Sequence, residues 1–230
     1  LENSKFKNDL ELGPIIFKRM PIGESVQRLI DCDFVAFSIY VWNEQVSLRI
    51  AREYKEARNR QGKRSLVVIG GPQVPDFAEE FFAQNPFVDI VVHNEGEEAF
   101  VEIIDKYIAH QEILDVQNTS VFRNGAVVKV PNRKRIINLD SIPLPFLNGI
   151  FDELVTKSEA HSFLVLWESN RGCPFQCTFC DWGSATAAKV NQFSLDRLKK
   201  ELEWIAKNEI EFVFVCDANF GILPRDIEIA

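Results

Sequence analysis

Three cysteines in one short stretch are the residues of this sequence that point most directly to chemistry. Cys173, Cys177 and Cys180 lie in the segment RGCPFQCTFC, with the spacing C-x3-C-x2-C. Thiolates on one loop can hold three irons of a [4Fe–4S] cluster, because such clusters are bound by cysteine sulfur. A cluster with only three protein ligands keeps one iron open to a substrate, so the spacing indicates chemistry at the cluster rather than simple electron transfer.

Two other uses of these cysteines stay open at this point. A structural zinc site usually needs four ligands, and Cys216 or His161 would have to supply the last one. The three residues could also be structural thiols, because free cysteine is often a small packing residue. The surroundings favour the open cluster, since the motif follows a strand-like run, lies between Gly172 and Gly183, and precedes a helix.

The elements around the cysteines predict a β-α-β arrangement. Residues 162–169 and 211–219 are apolar and strand-like, and residues 193–208 have the apolar spacing of a helix with Ser194 as its N-cap. Residues 224–230 are predicted to begin another helix. A closed β/α barrel typically takes roughly 250 residues, so we expect this segment to form only the first part of one and to belong to a longer protein.

The first part of the sequence alternates strands and helices. The predicted strands cover 14–20, 33–41, 65–71 and 88–94, and the predicted helices cover 44–60, 75–85 and 97–110. Apolar strands without alternation are typical of a parallel sheet with helices on both faces. A hairpin is predicted at 120–130, because its Asn-Gly pair suits a tight turn.

These patterns divide the chain into three parts. Residues 1–132 are predicted to form a flavodoxin- or Rossmann-like α/β domain, residues 133–160 a proline-containing linker, and residues 161–230 the first β/α units of a TIM-like barrel. In the first domain, small and polar residues follow each predicted strand: Ser38 and Asn43, then Gly70-Gly71, then the segment 94–100. Open α/β sheets bind ligands at the carboxyl ends of their strands, so we expect a ligand there.

The cysteine loop resembles the cluster motif of radical S-adenosylmethionine enzymes, in which an aromatic residue precedes the last cysteine. Phe179 fills that position here. The resemblance implies a [4Fe–4S] cluster whose open iron is chelated by the amino and carboxylate groups of S-adenosylmethionine. It also implies that Phe179 and the backbone near Trp182 face the adenine, and that Asp217 and Asn219, at the end of the next strand, meet the methionine amino group.

The tracts FSIYVWN, VIGGPQ and DIVVHNEGEEAF resemble the cobalamin-binding domain that precedes the barrel in one class of these enzymes. The resemblance implies that residues after the strands border the corrin ring and its nucleotide tail. The implied cobalamin contacts are Ser38, Trp42, Asn43, Gly70, Gly71, Glu95, Gly96 and Glu97.

Two features depart from that domain. Cobalamin domains of the mutase type have D-x-H-x-x-G, whose histidine ligates cobalt, whereas position 91 here is Val91 and His93 follows a late strand. We therefore expect His93 to be neutral and hydrogen-bonded within the fold. The opening strand and helix of the domain are also expected to lie before Leu1.

The resemblance implies that the intact enzyme cleaves S-adenosylmethionine to a 5′-deoxyadenosyl radical and, with cobalamin, transfers a methyl group to an unactivated carbon. Rearrangement or cyclisation is the alternative outcome. A small-molecule or peptide substrate and an external electron donor such as flavodoxin or ferredoxin are the implied partners. We expect residues 1–230 alone to be inactive, because most of the barrel is missing.

Composition limits the other classes of function. Lys and Arg number 26 against 34 Asp and Glu, a net charge of −8, which argues against sequence-independent nucleic-acid binding. No apolar run is long enough to span a membrane, and five cysteines without a secretory signal indicate a cytoplasmic protein. Two functional alternatives remain: a radical enzyme whose first domain is a relic that binds no cobalamin, and a non-enzymatic interaction protein stabilised by zinc or a cluster.

Overall fold

The computed structural model describes residues 1–156, 163–180 and 189–230. The chain forms two compact units, Leu1–Lys134 and Arg135–Ala230. None of the helices within the described ranges combines the length and the apolar character needed to cross a membrane.

The first unit is an α/β fold around one sheet. Its strands β1–β5 are Phe34–Ser38, Leu66–Gly70, Ile90–Val92, Thr119–Arg123 and Ala126–Lys129. Its helices α1–α4 are Ile22–Leu29, Glu44–Arg60, Glu79–Gln84 and Glu97–Ile108, and Lys7–Asp9 forms a 3₁₀ turn. The strands lie in the order β1-β2-β3-β4-β5. Strands β1, β2 and β3 are parallel, and β4 and β5 continue the sheet antiparallel, which confirms the predicted α/β sheet.

The two faces of this sheet bury different helices, because successive side chains of a strand point to opposite faces. On one face, Val67 packs in a core with Tyr54 of α2 and with residues of α1 and α3. On the other face, Val68 packs with Ile103 of α4. The absence of a polar face on β2 explains why its sequence shows no alternation.

The hairpin and the N-terminal segment show what local sequence can and cannot predict. The predicted hairpin forms, and Asn124 and Gly125 both adopt positive φ, at 53° and 81°, as a tight hairpin turn requires. The strand predicted at 14–20 is wrong, because these residues have no strand partner in the sheet. They instead lead into α1, which follows Pro21 directly.

The second unit contains a β-α-β element. Its strands β6–β9 are Leu164–Trp167, Asn170–Arg171, Asn191–Gln192 and Phe212–Val215, and its helices α5–α7 are Asp152–Thr156, Leu195–Lys207 and Asp226–Ile229. Strands β6 and β9 pair in parallel, with α6 between them in the chain, and β7 pairs with β8 antiparallel. Ser194 caps α6 as predicted, since its hydroxyl accepts a hydrogen bond from the Arg197 backbone N–H at 3.3 Å.

Residues that follow the unit boundary pack into the second unit. Leu139, in a 3₁₀ turn at Leu139–Ser141, is fully buried with Trp167 and Leu198 in the core. Arg197 of α6 donates to the Leu139 and Ile142 carbonyls at 3.3 and 2.5 Å. The segment that looked like a linker because of its prolines therefore contributes core residues to the second unit.

Tyr54 allows a test of the first core. Its hydroxyl is buried and donates to the Cys32 carbonyl at 2.6 Å. In Tyr54→Phe this carbonyl loses its partner, which costs about 1 to 3 kcal/mol. We expect urea denaturation to show that loss in the free energy of unfolding. Tyr40→Phe is the matched control, because the Tyr40 ring stacks on Trp42 at the surface, and an equal loss in both variants would contradict the assignment.

Candidate functional site

The cysteine loop leaves the carboxyl end of β6. Cys173 is only 8% exposed, whereas Cys177 is exposed and Cys180 lies between these extremes. The Cys180 backbone N–H donates to the Cys177 carbonyl at 3.1 Å, which places the last two cysteines in one turn. One thiol of the motif is thus fixed inside the fold, and the other two lie on a loop with little regular structure.

The three thiols are not gathered around a common point. Across the described ranges, no group of three His, Cys, Asp or Glu side chains is arranged to hold a metal ion. The donor set itself suits a soft metal centre, because thiolates are the ligands that iron–sulfur clusters use. Metal binding and the ordering of a ligand loop are commonly coupled, so an exposed Cys177 is compatible with such a centre.

Asp217 holds the start of the loop. It lies two residues beyond β9, and Ser169 lies two residues beyond β6, so the parallel register places them side by side. The carboxylate of Asp217 accepts four hydrogen bonds of 2.5–3.1 Å: from the backbone N–H groups of Ser169 and Asn170, from the Ser169 hydroxyl and from the Asn170 amide. A carboxylate has about four acceptor positions, so the chain itself fills them.

Asn219 reaches the first cysteine. Its Nδ2 donates to Cys173 Sγ at 3.0 Å. Gly172, just before Cys173, has φ +120°, and a Cβ there would lie 2.5 Å from the Lys189 carbonyl. Because glycine has no side chain, the backbone at Gly172 can pass close to residue 189. This path brings Cys173 toward Asn219.

The loop that follows Asn219 is held from both sides. Asp226 Oδ2 accepts the backbone N–H groups of Gly221 and Leu223 at 2.8 and 3.0 Å. Arg225 donates to the Ser169 carbonyl at 2.7 Å and also to the Phe193 carbonyl. These contacts connect the segment after β9 to the end of β6 and to the residue before the N-cap of α6.

The other predicted residues of this unit are placed differently. Phe179 is 90% exposed, so its ring is open to a ligand. Trp182, His161 and Gly183 lie outside the described residues. For Cys216, burial and the carboxylates of Glu168 and Asp217 raise the thiol pKa. The Cys216 thiol contacts the Phe214 carbonyl at 3.7 Å.

In the first unit, the predicted cobalamin contacts lie at one edge of the sheet. Ser38 and Gly70 end β1 and β2 and are direct neighbours in the register. Gly71 has φ +104°, and a Cβ there would lie 2.6 Å from the Ile39 carbonyl. Glycine is required at that position, because the backbone after β2 runs directly against the backbone after β1.

The loop after β1 presents an aromatic side chain. Asn43 closes this loop, since its Oδ1 accepts from the Tyr40 N–H at 2.7 Å and its Nδ2 donates to the Ser38 carbonyl at 3.0 Å. Trp42 is 76% exposed and stacks on Tyr40 with ring centroids 4.7 Å apart. The closed turn thus leaves a flat aromatic face open at this edge.

The turn after β3 leads into α4. Gly96 precedes the helix, which begins at Glu97, and the Glu95 carbonyl accepts a hydrogen bond from the Asn118 amide at 2.9 Å. A Cβ at Gly96 would lie 3.3 Å from Val92 Cγ1, so the turn packs closely over the end of the strand. Glu95, Gly96 and Glu97 therefore follow β3 as Ser38 and Gly70–Gly71 end the two neighbouring strands.

His93 is neutral and hydrogen-bonded, as the sequence predicted. It is 6% exposed, and its Nε2 lies 2.8 Å from Ser120 Oγ. Burial, with a smaller effect of the Lys129 charge, lowers its pKa, although Asp76 acts in the opposite direction. This imidazole is occupied within the sheet.

Three residues of the second unit that support the site were missed by sequence reasoning: Ser169, Asn170 and Arg225. Ser169 and Asn170 lie just before the motif, and the parallel register of β6 and β9 is the signal that links them to Asp217. Arg225 carries no local signal, because its partners lie 32 and 56 residues away in the chain.

Both units of the chain have counterparts in known proteins. The B12 binding domain family matches residues 21–104. The cobalamin-dependent radical SAM methyltransferase TokK of Streptomyces tokunonensis is 41% identical over 218 residues, which are 94% of this chain and 31% of that protein. The 2-(S-pantetheinyl)-carbapenam-3-carboxylate methyltransferase of Streptantibioticus cattleyicolor is 44% identical over 214 residues, 91% of this chain and 30% of that protein. The chain thus spans about a third of the length of these curated relatives.

Solved structures show the same fold. The cobalamin-dependent S-adenosylmethionine radical enzyme OxsB, with aqua-cobalamin and S-adenosylmethionine bound, superposes with a TM-score of 0.73 at 20% identity, over 90% of this chain and 29% of that one. The radical S-adenosylmethionine methyltransferase TsrM of Kitasatospora setae gives a TM-score of 0.63 at 13% identity, over 88% of this chain and 40% of that one. At these identities the likeness concerns the fold.

The neutral state of His93 makes a prediction about pH. Its pKa in the folded chain lies below the value in the unfolded chain, so the unfolded state binds the extra proton as the pH falls through about 6.5. The free energy of unfolding should therefore drop between pH 7.5 and 5.5 by up to about 1 kcal/mol more in the parent protein than in His93→Gln. Urea titrations at the two pH values measure this difference, and an equal drop in both proteins would contradict a neutral His93.

Proposed function

We propose that the intact protein is a cobalamin-dependent methyltransferase. The chain belongs to the radical S-adenosylmethionine enzymes that carry a B12-binding domain, and this membership supports the proposal. In this proposal the first unit binds cobalamin. The second unit begins the barrel that holds a [4Fe–4S] cluster and S-adenosylmethionine. The proposal concerns the whole protein. The present chain spans about a third of the length of these curated relatives.

One observation carries the proposal. A C-x3-C-x2-C loop starts at the carboxyl end of the first strand of a β-α-β element, and its first cysteine is buried and hydrogen-bonded. The loop itself supplies three thiols, and Cys216 lies outside it, with its thiol on the Phe214 carbonyl at 3.7 Å. Three thiolates suit a cluster with one open iron better than a closed zinc site.

The residues of the second unit then divide by role. The chemistry that the bound cofactors supply is one-electron cleavage of S-adenosylmethionine and delivery of a methyl group. Cys173, Cys177 and Cys180 would ligate the cluster, and the exposed ring of Phe179 would face the adenine together with the backbone near Trp182. Asn219 uses Nδ2 for Cys173, so its carbonyl oxygen would accept the methionine ammonium.

Asp217 would act on S-adenosylmethionine indirectly. Its four hydrogen bonds to Ser169 and Asn170 fix the backbone that enters the cysteine loop. We assign it the role of holding that loop and Asn219 in place, because a carboxylate whose acceptor positions are filled has little capacity left for a ligand ammonium.

In the first unit, the corrin would lie at the carboxyl edge of β1, β2 and β3. The backbone is free of side chains there at Gly70, Gly71 and Gly96, so a bulky ring system can approach it closely. Ser38 and Asn43 close the first turn, and Trp42 presents its exposed face to the corrin. Glu95 and Glu97 border the last turn, near the nucleotide tail.

The relatives favour methyl transfer to a small molecule. The two relatives described above are named as methyltransferases, and one is named for a carbapenam carboxylate. We propose a small-molecule substrate and an external one-electron donor, such as flavodoxin or ferredoxin, for the intact protein. Rearrangement or cyclisation is less favoured, because a relative named as a cyclase is only 26% identical, against 41% and 44% for the two methyltransferases.

One face of the β6–β9 sheet is exposed and apolar, which supports the proposal that further barrel strands cover it. Val165 and Trp167 face the core under α6. The opposite face carries four exposed large apolar side chains, Leu164, Leu166, Phe212 and Phe214. An exposed apolar patch of this kind usually marks a binding surface. In a barrel this face points inward, so we propose that the remaining strands enclose it and that the substrate is held there.

Cysteine substitutions test the cluster. In the anaerobically reconstituted full-length protein, Cys177→Ala should abolish incorporation of iron and sulfide and the cleavage of S-adenosylmethionine, because it removes one of three ligands. Cys216→Ala should keep about four irons per chain, since the Cys216 thiol contacts the Phe214 carbonyl at 3.7 Å rather than a metal. Elemental analysis and sulfide determination measure both. If Cys216→Ala empties the site as completely as Cys177→Ala, or if zinc is found without sulfide, the enzyme proposal fails.

Cobalt ligation tests the first unit. We expect the full-length protein to retain a corrin and its cob(II)alamin to show no nitrogen splitting from a protein histidine in electron paramagnetic resonance, because His93 is buried against Ser120. His93→Ala should give the same spectrum. Nitrogen splitting that disappears in His93→Ala would refute the assignment, and a protein without any bound corrin would favour a relic domain.

A further inference from the structure

We propose that Asn219 sets the reduction potential of the cluster through its hydrogen bond to Cys173. This inference rests on the proposed function, because it requires the three cysteines to hold a [4Fe–4S] cluster. The observation behind it is the 3.0 Å contact from Asn219 Nδ2 to Cys173 Sγ. In a cluster the same sulfur would be an iron ligand carrying part of the negative charge.

The contact makes the three cysteines unequal. Cys173 is 8% exposed, whereas Cys177 is exposed to solvent. Within the described ranges, no side-chain hydrogen bond reaches the sulfur of Cys177 or Cys180. A hydrogen bond is electrostatically stronger where water is excluded, so the amide at Cys173 acts on the most buried of the three sulfurs.

Asn219 is held where it can keep this contact. Asp217, two residues earlier, is fixed by its hydrogen bonds to Ser169 and Asn170. Asp226 holds the N–H groups of Gly221 and Leu223, on the other side of Asn219. An anchored backbone on both sides reduces the entropy that the amide loses on meeting the sulfur, and it keeps the donor aimed at Cys173.

The direction of the effect follows from charge. Reduction adds one electron to the cluster and increases the negative charge on its sulfurs. An N–H donor stabilises this added charge, and hydrogen bonds to the sulfurs are among the features that set cluster potentials. Without the donor the reduced form is less stable, so the midpoint potential becomes more negative. The cluster is then harder for an external donor to reduce.

The experiment is a redox titration of the reconstituted full-length protein in the absence of S-adenosylmethionine, with the reduced cluster followed by electron paramagnetic resonance. Asn219→Leu removes the donor at similar size, and Asn219→Asp replaces it with a charged acceptor. Cys216→Ser is the matched control, because this residue lies three positions before Asn219 in the chain and its thiol contacts a backbone carbonyl. Iron and sulfide are determined for every variant.

We expect all three variants to keep the iron content of the parent protein. At the parent midpoint potential, Asn219→Leu should lower the ratio of reduced to oxidised cluster about tenfold, which corresponds to ~59 mV for a one-electron couple. Asn219→Asp should lower it further, and Cys216→Ser should leave it unchanged.

The possible results are distinguishable. A parent protein that binds no iron and sulfide contradicts the proposed function itself. Full iron content with unchanged potentials in both Asn219 variants overturns only the present inference. Loss of iron in both Asn219 variants, with full iron in Cys216→Ser, also overturns it, because Asn219 would then be needed to assemble the site rather than to tune it.

Discussion

The second unit depends on one carboxylate, that of Asp217. Its hydrogen bonds join the residues just beyond β6 to those just beyond β9, at the edge where two parallel strands end and their backbone groups lose their ladder partners. Without it, the N–H groups of Ser169 and Asn170 would be left unpaired in a partly buried place, which is costly. The entry to the cysteine loop and the position of Asn219 both follow from this joint.

The same constraint acts in the first unit by a different means. There the strand ends are brought together by close backbone contact, with Gly71 against Ile39, and by the amide of Asn43 across the turn. Gly172 is the counterpart in the second unit, where the backbone approaches Lys189. In both units a glycine with positive φ, which has no side chain, allows the backbone of one loop to approach the backbone of another closely.

Local sequence predicted the parts of the fold that local forces decide. Helix α2 was predicted at its observed bounds because its apolar spacing is regular, and α6 was found by its stripe and its serine cap. Residues 14–20 were mistaken for a strand because an apolar run does not show whether a partner strand is available. The core role of Leu139 and the partners of Asp217 were missed because the cited contacts span 58 and 48 residues, and no spacing rule reports on them.

Some residues at the carboxyl ends of the strands hold the fold together, and others remain available to a ligand. Their hydrogen-bond partners distinguish the two groups. Asp217 and Asn43 use their side-chain acceptors within the chain, and His93 is paired with Ser120. Phe179 and Trp42 expose their rings instead, and Asn219 keeps a carbonyl oxygen. A motif in the sequence cannot make this distinction, because a residue that holds a loop and a residue that touches the ligand are fixed at the same spacing. The difference lies in which polar atoms already have partners, and only the folded chain determines that.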